Sequence, residues 1–136
     1  MDVDQRADLV AEAARALAPR RLGDRLVGDV AAVVVTDRGD HFTGVCIDTG
    51  SGTGFCAEAS AVAAMVTAGQ QRITGVVAVW RDDDGRLHVL PPCGRCREFL
   101  RQMHPDNLDA VVVLARGAWA PLRELLPAHE WPEPER

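Results

Sequence analysis

Apolar positions along the chain change period several times, and the changes predict its elements. Residues 4–18, "DQRADLVAEAARALA", place Leu9, Val10, Ala13 and Leu17 at helical spacing, which predicts an amphipathic first helix. "DVAAVVVTD" (29–37) and "HFTGVCID" (41–48) are short β-branched runs joined across a glycine turn, a hairpin pattern. "TGSGTG" (49–54) is too glycine-rich for helix or strand and reads as a loop passing close to something. An alanine-rich helix follows from Cys56 to about Thr67. "ITGVVAVWR" (73–81) is a strand fit for burial on both faces, "DDDG" a turn, and "RLHVLP" (86–91) a short strand. "GRCREFLRQM" (94–103) reads as a helix, "DAVVVLA" (109–115) as a strand, and "APLRELLP" (120–127) as a last short helix. This order suggests an α/β protein, one mixed sheet sandwiched by helices. A proline-broken tail follows from about residue 128.

Composition narrows the class. The chain has 136 residues, 47% hydrophobic and 26% charged, enough for a single domain with a real core. No apolar run approaches the ~20 residues of a bilayer span, and "MDVDQRADLV" lacks the order of a signal peptide. A cytoplasmic protein is the expectation, with neither membrane nor nucleic-acid polymer as partner. The net charge is −5 and no basic block stands out, whereas a grip on phosphates needs a concentrated basic face. Four cysteines in such a chain point to metal or catalysis before disulfides.

Three of those cysteines fall in two stretches. "FCAEASAV" begins at Phe55 and "PPCGRC" runs from Pro91 to Cys96, each where a loop meets a helix N-terminus. Free N–H groups and the helix dipole favour thiolates there. Two such starts facing each other would gather Cys56, Cys93 and Cys96 around a metal. Three protein ligands with a fourth position open is the pattern of catalytic zinc. Cys46 lies apart in the second strand, and His41, His88, His104 and His129 are scattered. Glu58, two residues beyond a ligand, can lean over the open position and carry protons. Taken alone, C-x-x-C could be a redox pair, Cys56 a buried hydrophobe and Glu58 a favourable first-turn charge. Joined in order, C-x-E followed by P-C-x-x-C is the arrangement of zinc-dependent nucleobase deaminases in its three-cysteine form.

From Val30 to Leu126 the chain resembles the cytidine deaminase superfamily, and within it the blasticidin S deaminases. Besides the two motifs, "FTGV" (42–45), "LPPCGRCREFL" (90–100), "HP" (104–105) and "RELLP" (123–127) carry the likeness. The resemblance implies a five-stranded mixed sheet, one Zn2+ per subunit, and a homotetramer whose sites borrow residues from neighbours. The implied reaction is hydrolysis of the C4 amine of a cytosine ring, giving uracil and ammonia. Many cytidine deaminases place an arginine after C-A-E that donates to the ligand sulfurs; here that residue is Ala59. An arginine inside C-G-R-C serves in the blasticidin S group, which assigns the role to Arg95, with Arg97 as the alternative. The family's sugar-binding G-x-N-x-E is "GVCID" here, with Cys46 for the asparagine and Asp48 for the glutamate. A thiol cannot reproduce an amide's donor and acceptor pair, so ordinary cytidine is in doubt. No N-terminal aromatic is present to stack the base. Trp131, beside the position of the family's C-terminal aromatic, supplies that surface over a neighbour's site or packs on its own subunit.

The leading expectation is a zinc-dependent deaminase of a free cytosine nucleoside or a nucleoside antibiotic such as blasticidin S. The alternatives are a cytidine/deoxycytidine deaminase of pyrimidine salvage and a non-catalytic structural zinc or thiol-redox module.

Overall fold

The computed structural model describes residues 1–132, so residues 133–136 of the proline-broken tail lie outside the described residues. The first helix, α1, spans Val3–Ala16. It opens with a capping box in which the Asp2 carboxylate accepts from the Gln5 N–H and the Gln5 amide accepts from the Asp2 N–H, both at 2.8 Å. The strands are β1 (Arg20–Leu22), β2 (Arg25–Thr36), β3 (His41–Ile47), β4 (Ile73–Arg81), β5 (Leu87–Leu90), β6 (Val111–Ala115) and β7 (Ala118–Pro121). Helices α2 (Ala57–Thr67) and α3 (Gly94–Met103) complete the frame, with 3-10 turns at Pro105–Asp109 and Leu122–Leu125.

Among the described residues the sheet has seven strands rather than the expected five. Both β3 and β4 pair with the stretch Ala31–Val35 of β2 and therefore flank it. Strand β6 pairs parallel with Gly75 and Val76, and β7 closes that edge, so the sheet is mixed and runs β3-β2-β4-β6-β7 across. The two additional strands extend its ends. β1 pairs only with Arg25–Val27, and β5 only with Ala78–Arg81.

The expected helix over 120–127 is replaced by β7 and a 3-10 turn. Gly117, at φ +80°, turns the chain back so that Trp119 and Ala120 pair with Val113 and Val112. Leu122 still reaches the core, fully buried, from that single turn. Its helical spacing with Leu125 and Leu126 reflects the turn and not a helix.

Alternation along β2 separates two cores. Ala31, Val33 and Val35 face α1 and meet Leu9, Val10 and Ala13, together with Val77, Val79 and Val113. Val34 faces the other way, against Ala61, Val62 and Met65 of α2 and Leu100 of α3, alongside Val76 and Val112. Each fully buried valine contributes roughly 1.5–3 kcal/mol. The result is a three-layer sandwich, α1 on one face and α2 with α3 on the other.

Two polar devices fix where α2 and α3 lie. Asn107 is fully buried and accepts from the Ile73 N–H at 2.7 Å while donating to the carbonyls of Gln71 and Leu100. It ties the end of α3 to the start of β4. Helix α2 lies directly on β3, where the Ser60 hydroxyl donates to the Val45 carbonyl at 2.7 Å. That approach is close enough that a Cβ on Gly44 would stand 2.3 Å from the Ala61 backbone nitrogen. Gly44→Ala should therefore push α2 off the sheet, costing about 1–3 kcal/mol in urea unfolding and lowering the zinc content of the purified protein.

Candidate active site

Cys56 and Cys93 are the N-cap residues of α2 and α3. Both have extended backbone (φ −72°, ψ 159° and φ −66°, ψ 167°), and neither side chain caps its own helix. Serine or aspartate would normally fill such positions and bond inward. Here the thiols turn away from their helices toward each other, 3.7 Å apart. Cys96, one turn into α3 and 1% exposed, joins them, and all three sulfurs lie within 4.8 Å of one another. Cys46 is outside this group; its thiol donates to an Asp29 carboxylate oxygen at 3.0 Å.

Glu58, on the first turn of α2, is 5% exposed. It lines a cavity of about 430 Å3 together with Cys56 and Cys93. This volume is within the roughly 300–1,000 Å3 usual for small-molecule sites. Cys46, Asp48 and Arg95 line the same cavity, so six of the sequence-predicted residues border one space, Cys96 not among them. Gly52 and Gly54 of the glycine-rich loop also border it, as the sequence suggested, and so does Phe55. Arg95 makes no hydrogen bond among the described residues. Arg97, the alternative sulfur donor, instead donates to the Pro92 carbonyl at 2.8 Å and the Leu125 carbonyl at 3.4 Å. It secures the loop that carries Cys93. Trp131 is 80% exposed and not part of the cavity, so it packs on little of its own subunit. Asp29 was not singled out from sequence. It follows Gly28, where the pairing of β2 with β3 slips between Val27 and Ala31, and a bulge leaves no periodic signal.

Electrostatics explain what this cluster fits. Burial pushes the Cys56 thiol up, and its bond with Cys93 adds to the rise. Cys96 is pushed up strongly by burial and by the neighbouring Glu58 charge. At Cys93 burial also works upward, but the Cys96 backbone N–H and the adjacent thiols bring it below its ordinary value. Burial raises Glu58, partly offset by the Cys96 thiol. Negative charge is thus crowded, and a divalent cation reverses its cost by pairing with the thiolates. Three soft sulfurs within 4.8 Å, with no fourth cysteine among them, fit zinc with an open position.

A zinc centre beside a buried carboxyl in a small-molecule cavity defines a class, the zinc-dependent hydrolases. Comparison with known proteins identifies the family. Residues 4–114 match the family described as the cytidine and deoxycytidylate deaminase zinc-binding region. A blasticidin-S deaminase from Bacillus cereus is 31% identical over 103 residues, 72% of this chain and 74% of that one. A cytidine deaminase from Mycobacterium tuberculosis is 38% identical over 72 residues, 52% of this chain and 51% of that protein. The crystal structure of cytidine deaminase from Mycobacterium tuberculosis superposes with a TM-score of 0.71 at 29% identity, covering 93% of this chain and 97% of that one. The Bacillus anthracis cytidine deaminase gives the same TM-score at 23% identity, covering 94% and 89%, a likeness of fold.

The chain belongs to the cytidine and deoxycytidylate deaminase family. It is a zinc-dependent hydrolytic deaminase of that family. Among the described residues no helix is long and apolar enough to cross a membrane.

Metal ligation by thiolates releases protons, and because the Cys56 and Cys96 thiols are raised, that release costs more as pH falls. Zinc affinity, measured by competition with a chelator, should weaken steeply from about pH 8 to about pH 6. Cys93→Ala should abolish stoichiometric zinc in metal analysis.

Proposed function

We propose that Cys56, Cys93 and Cys96 hold one zinc ion and that Glu58 carries protons in the hydrolysis of the C4 amine of a cytosine nucleoside or nucleoside antibiotic. The observation behind this reading is the cluster of three thiols, two of which line one cavity of nucleoside size together with a buried glutamate. Bound there, zinc supplies the Lewis acidity that makes water a nucleophile at neutral pH.

The chain's own residues supply the rest. Glu58 sits at the cavity wall with its carboxyl shielded from bulk solvent, so a proton it accepts stays close to the substrate. It delivers that proton to the ring nitrogen and afterwards assists departure of ammonia. Arg95 adds positive charge beside the sulfurs, offsetting the net −1 that three thiolates leave on Zn2+. The glycines at 52 and 54 let backbone approach the ligand, and Asp48 accepts from the sugar side. A homotetramer in the cytoplasm completes the proposal, with Trp131 covering a neighbour's site, which its exposure allows.

The substrate is the finer point. Cys46 at the sugar-binding stretch, its one proton directed to Asp29, speaks for a ligand other than plain cytidine. Similarity to the Bacillus cereus blasticidin-S deaminase over 72% of the chain supports an antibiotic of that type. Similarity to the Mycobacterium tuberculosis cytidine deaminase supports the salvage alternative. Ammonia release from cytidine, deoxycytidine, cytosine and blasticidin S separates them: release from blasticidin S alone is expected, and release from cytidine assigns salvage.

Glu58→Gln should retain zinc while losing about 10^2–10^4-fold in turnover; full activity would remove Glu58 as the proton carrier. Cys46→Ala should retain zinc, whereas its loss would point to a closed structural site.

A further inference from the structure

One wall of the reaction cavity has an unusual make-up. Cys46 is 5% exposed, lines the cavity and lies between two carboxylates. Polar atoms of Asp29, Cys46 and Asp48 all lie within 4.8 Å of one another. The Cys46 thiol donates its single proton to Asp29. Its sulfur therefore has no proton left to offer a ligand, and carboxylates only accept. Neither Asp29 nor Asp48 makes an ion pair among the described residues. The Cys46 and Asp48 side chains thus present only acceptors to the cavity, with the Asp29 carboxylate behind the Cys46 thiol, and Arg95 is the one cationic side chain that shares the lining.

Backbone geometry brings Asp29 there. In the pairing of β2 with β3, Val27 faces Ile47 and Ala31 faces Val45, so residues 28–30 together oppose Cys46. Gly28 makes this bulge, at φ +76°, with its carbonyl accepting from the Ala18 N–H at 2.9 Å. A Cβ on Gly28 would stand 2.2 Å from the Ala18 oxygen, so the bulge is pinned from outside. Such bulges re-aim side chains beside active sites.

We propose that Asp29, acting through Cys46, and Asp48, in direct contact, select cytosine nucleosides whose sugar portion carries a protonated amine. An ammonium group supplies three donors and a positive charge where the wall supplies acceptors and negative charge. A sugar hydroxyl supplies one donor and brings lone pairs of its own. Asp29 is a positioning residue and Asp48 a specificity residue. This inference rests on the cavity being the deaminase site, and its test is separable from that reading.

Binding is measured with product-type compounds, which do not turn over: uridine, 3′-amino-3′-deoxyuridine and 5′-amino-5′-deoxyuridine, by calorimetry on the zinc-loaded protein. At least one amino compound should bind about tenfold or more tighter than uridine while its amine is protonated, and the advantage should vanish as pH rises through the amine's own pKa. Asp29→Asn and Asp48→Asn should each reduce the ratio severalfold. Zinc content and thermal melting report the fold of both variants, and the exposed Asp48 gives a test in which the core is untouched. Equal binding of amine and hydroxyl compounds by the wild-type protein would overturn the inference, as would a preference that survives both substitutions. Ammonia release from cytidine, blasticidin S and 3′-amino-3′-deoxycytidine is followed in parallel. No release from any of them counts against the deaminase assignment, while the binding ratio still decides the inference.

Discussion

Two helices begin at nearly the same point in space, and the fold is arranged around that meeting. Bringing Cys56 within 3.7 Å of Cys93 places the dipoles of α2 and α3 head to head, positive end against positive end. Such a junction is unfavourable when the groups between the helices are neutral. It becomes favourable when thiolates stand there and a cation binds them in turn. Packing elsewhere holds the junction in place. Gly44 lets α2 lie on β3, Asn107 ties α3 to β4, and Arg97 anchors the loop before α3. None of these residues lines the cavity, yet each determines where a sulfur or the Glu58 carboxyl sits.

The parts of this arrangement differ in how far they could be read from the chain. The two motif stretches were legible because metal ligation constrains residue type and spacing together. Helices α1, α2 and α3 were legible within a residue or two, since each couples an apolar stripe to a recognisable start. Strand β4 announced itself as an apolar run fit for burial on both faces, and β2 as a β-branched run over 29–37, although it begins at Arg25. What escaped was set by tertiary context. β1 is "RRL", exposed at every position, and exists only because the long β2 offers it an edge. β7 carries leucines just beyond it at helical spacing, but pairing with β6 outweighed that local preference.

Asp29 is a further case of the same kind. In sequence it is an acidic residue at the edge of an apolar strand, and alternation gives it no special direction. A bulge pinned by Ala18 on the far side of Gly28 turns it toward Cys46. The contact that distinguishes this cavity thus depends on the segment following α1, which lies well away from both zinc motifs in sequence. The thiol in place of the family's amide was legible as a departure; its partner was not.

Residues 48–54 leave β3 and return to the start of α2 through a narrow neck. Ile47 and Phe55 exchange two backbone hydrogen bonds, 3.1 and 3.0 Å long, immediately before Cys56. The neck isolates the position of Cys56 from the loop beyond it. Insertions, deletions or new side chains between Asp48 and Gly54 can reshape what the cavity admits without moving Cys56 or the neighbouring Glu58. The scaffold is therefore modular under selection, with reaction chemistry and molecular recognition free to diverge at different rates within one short stretch of chain.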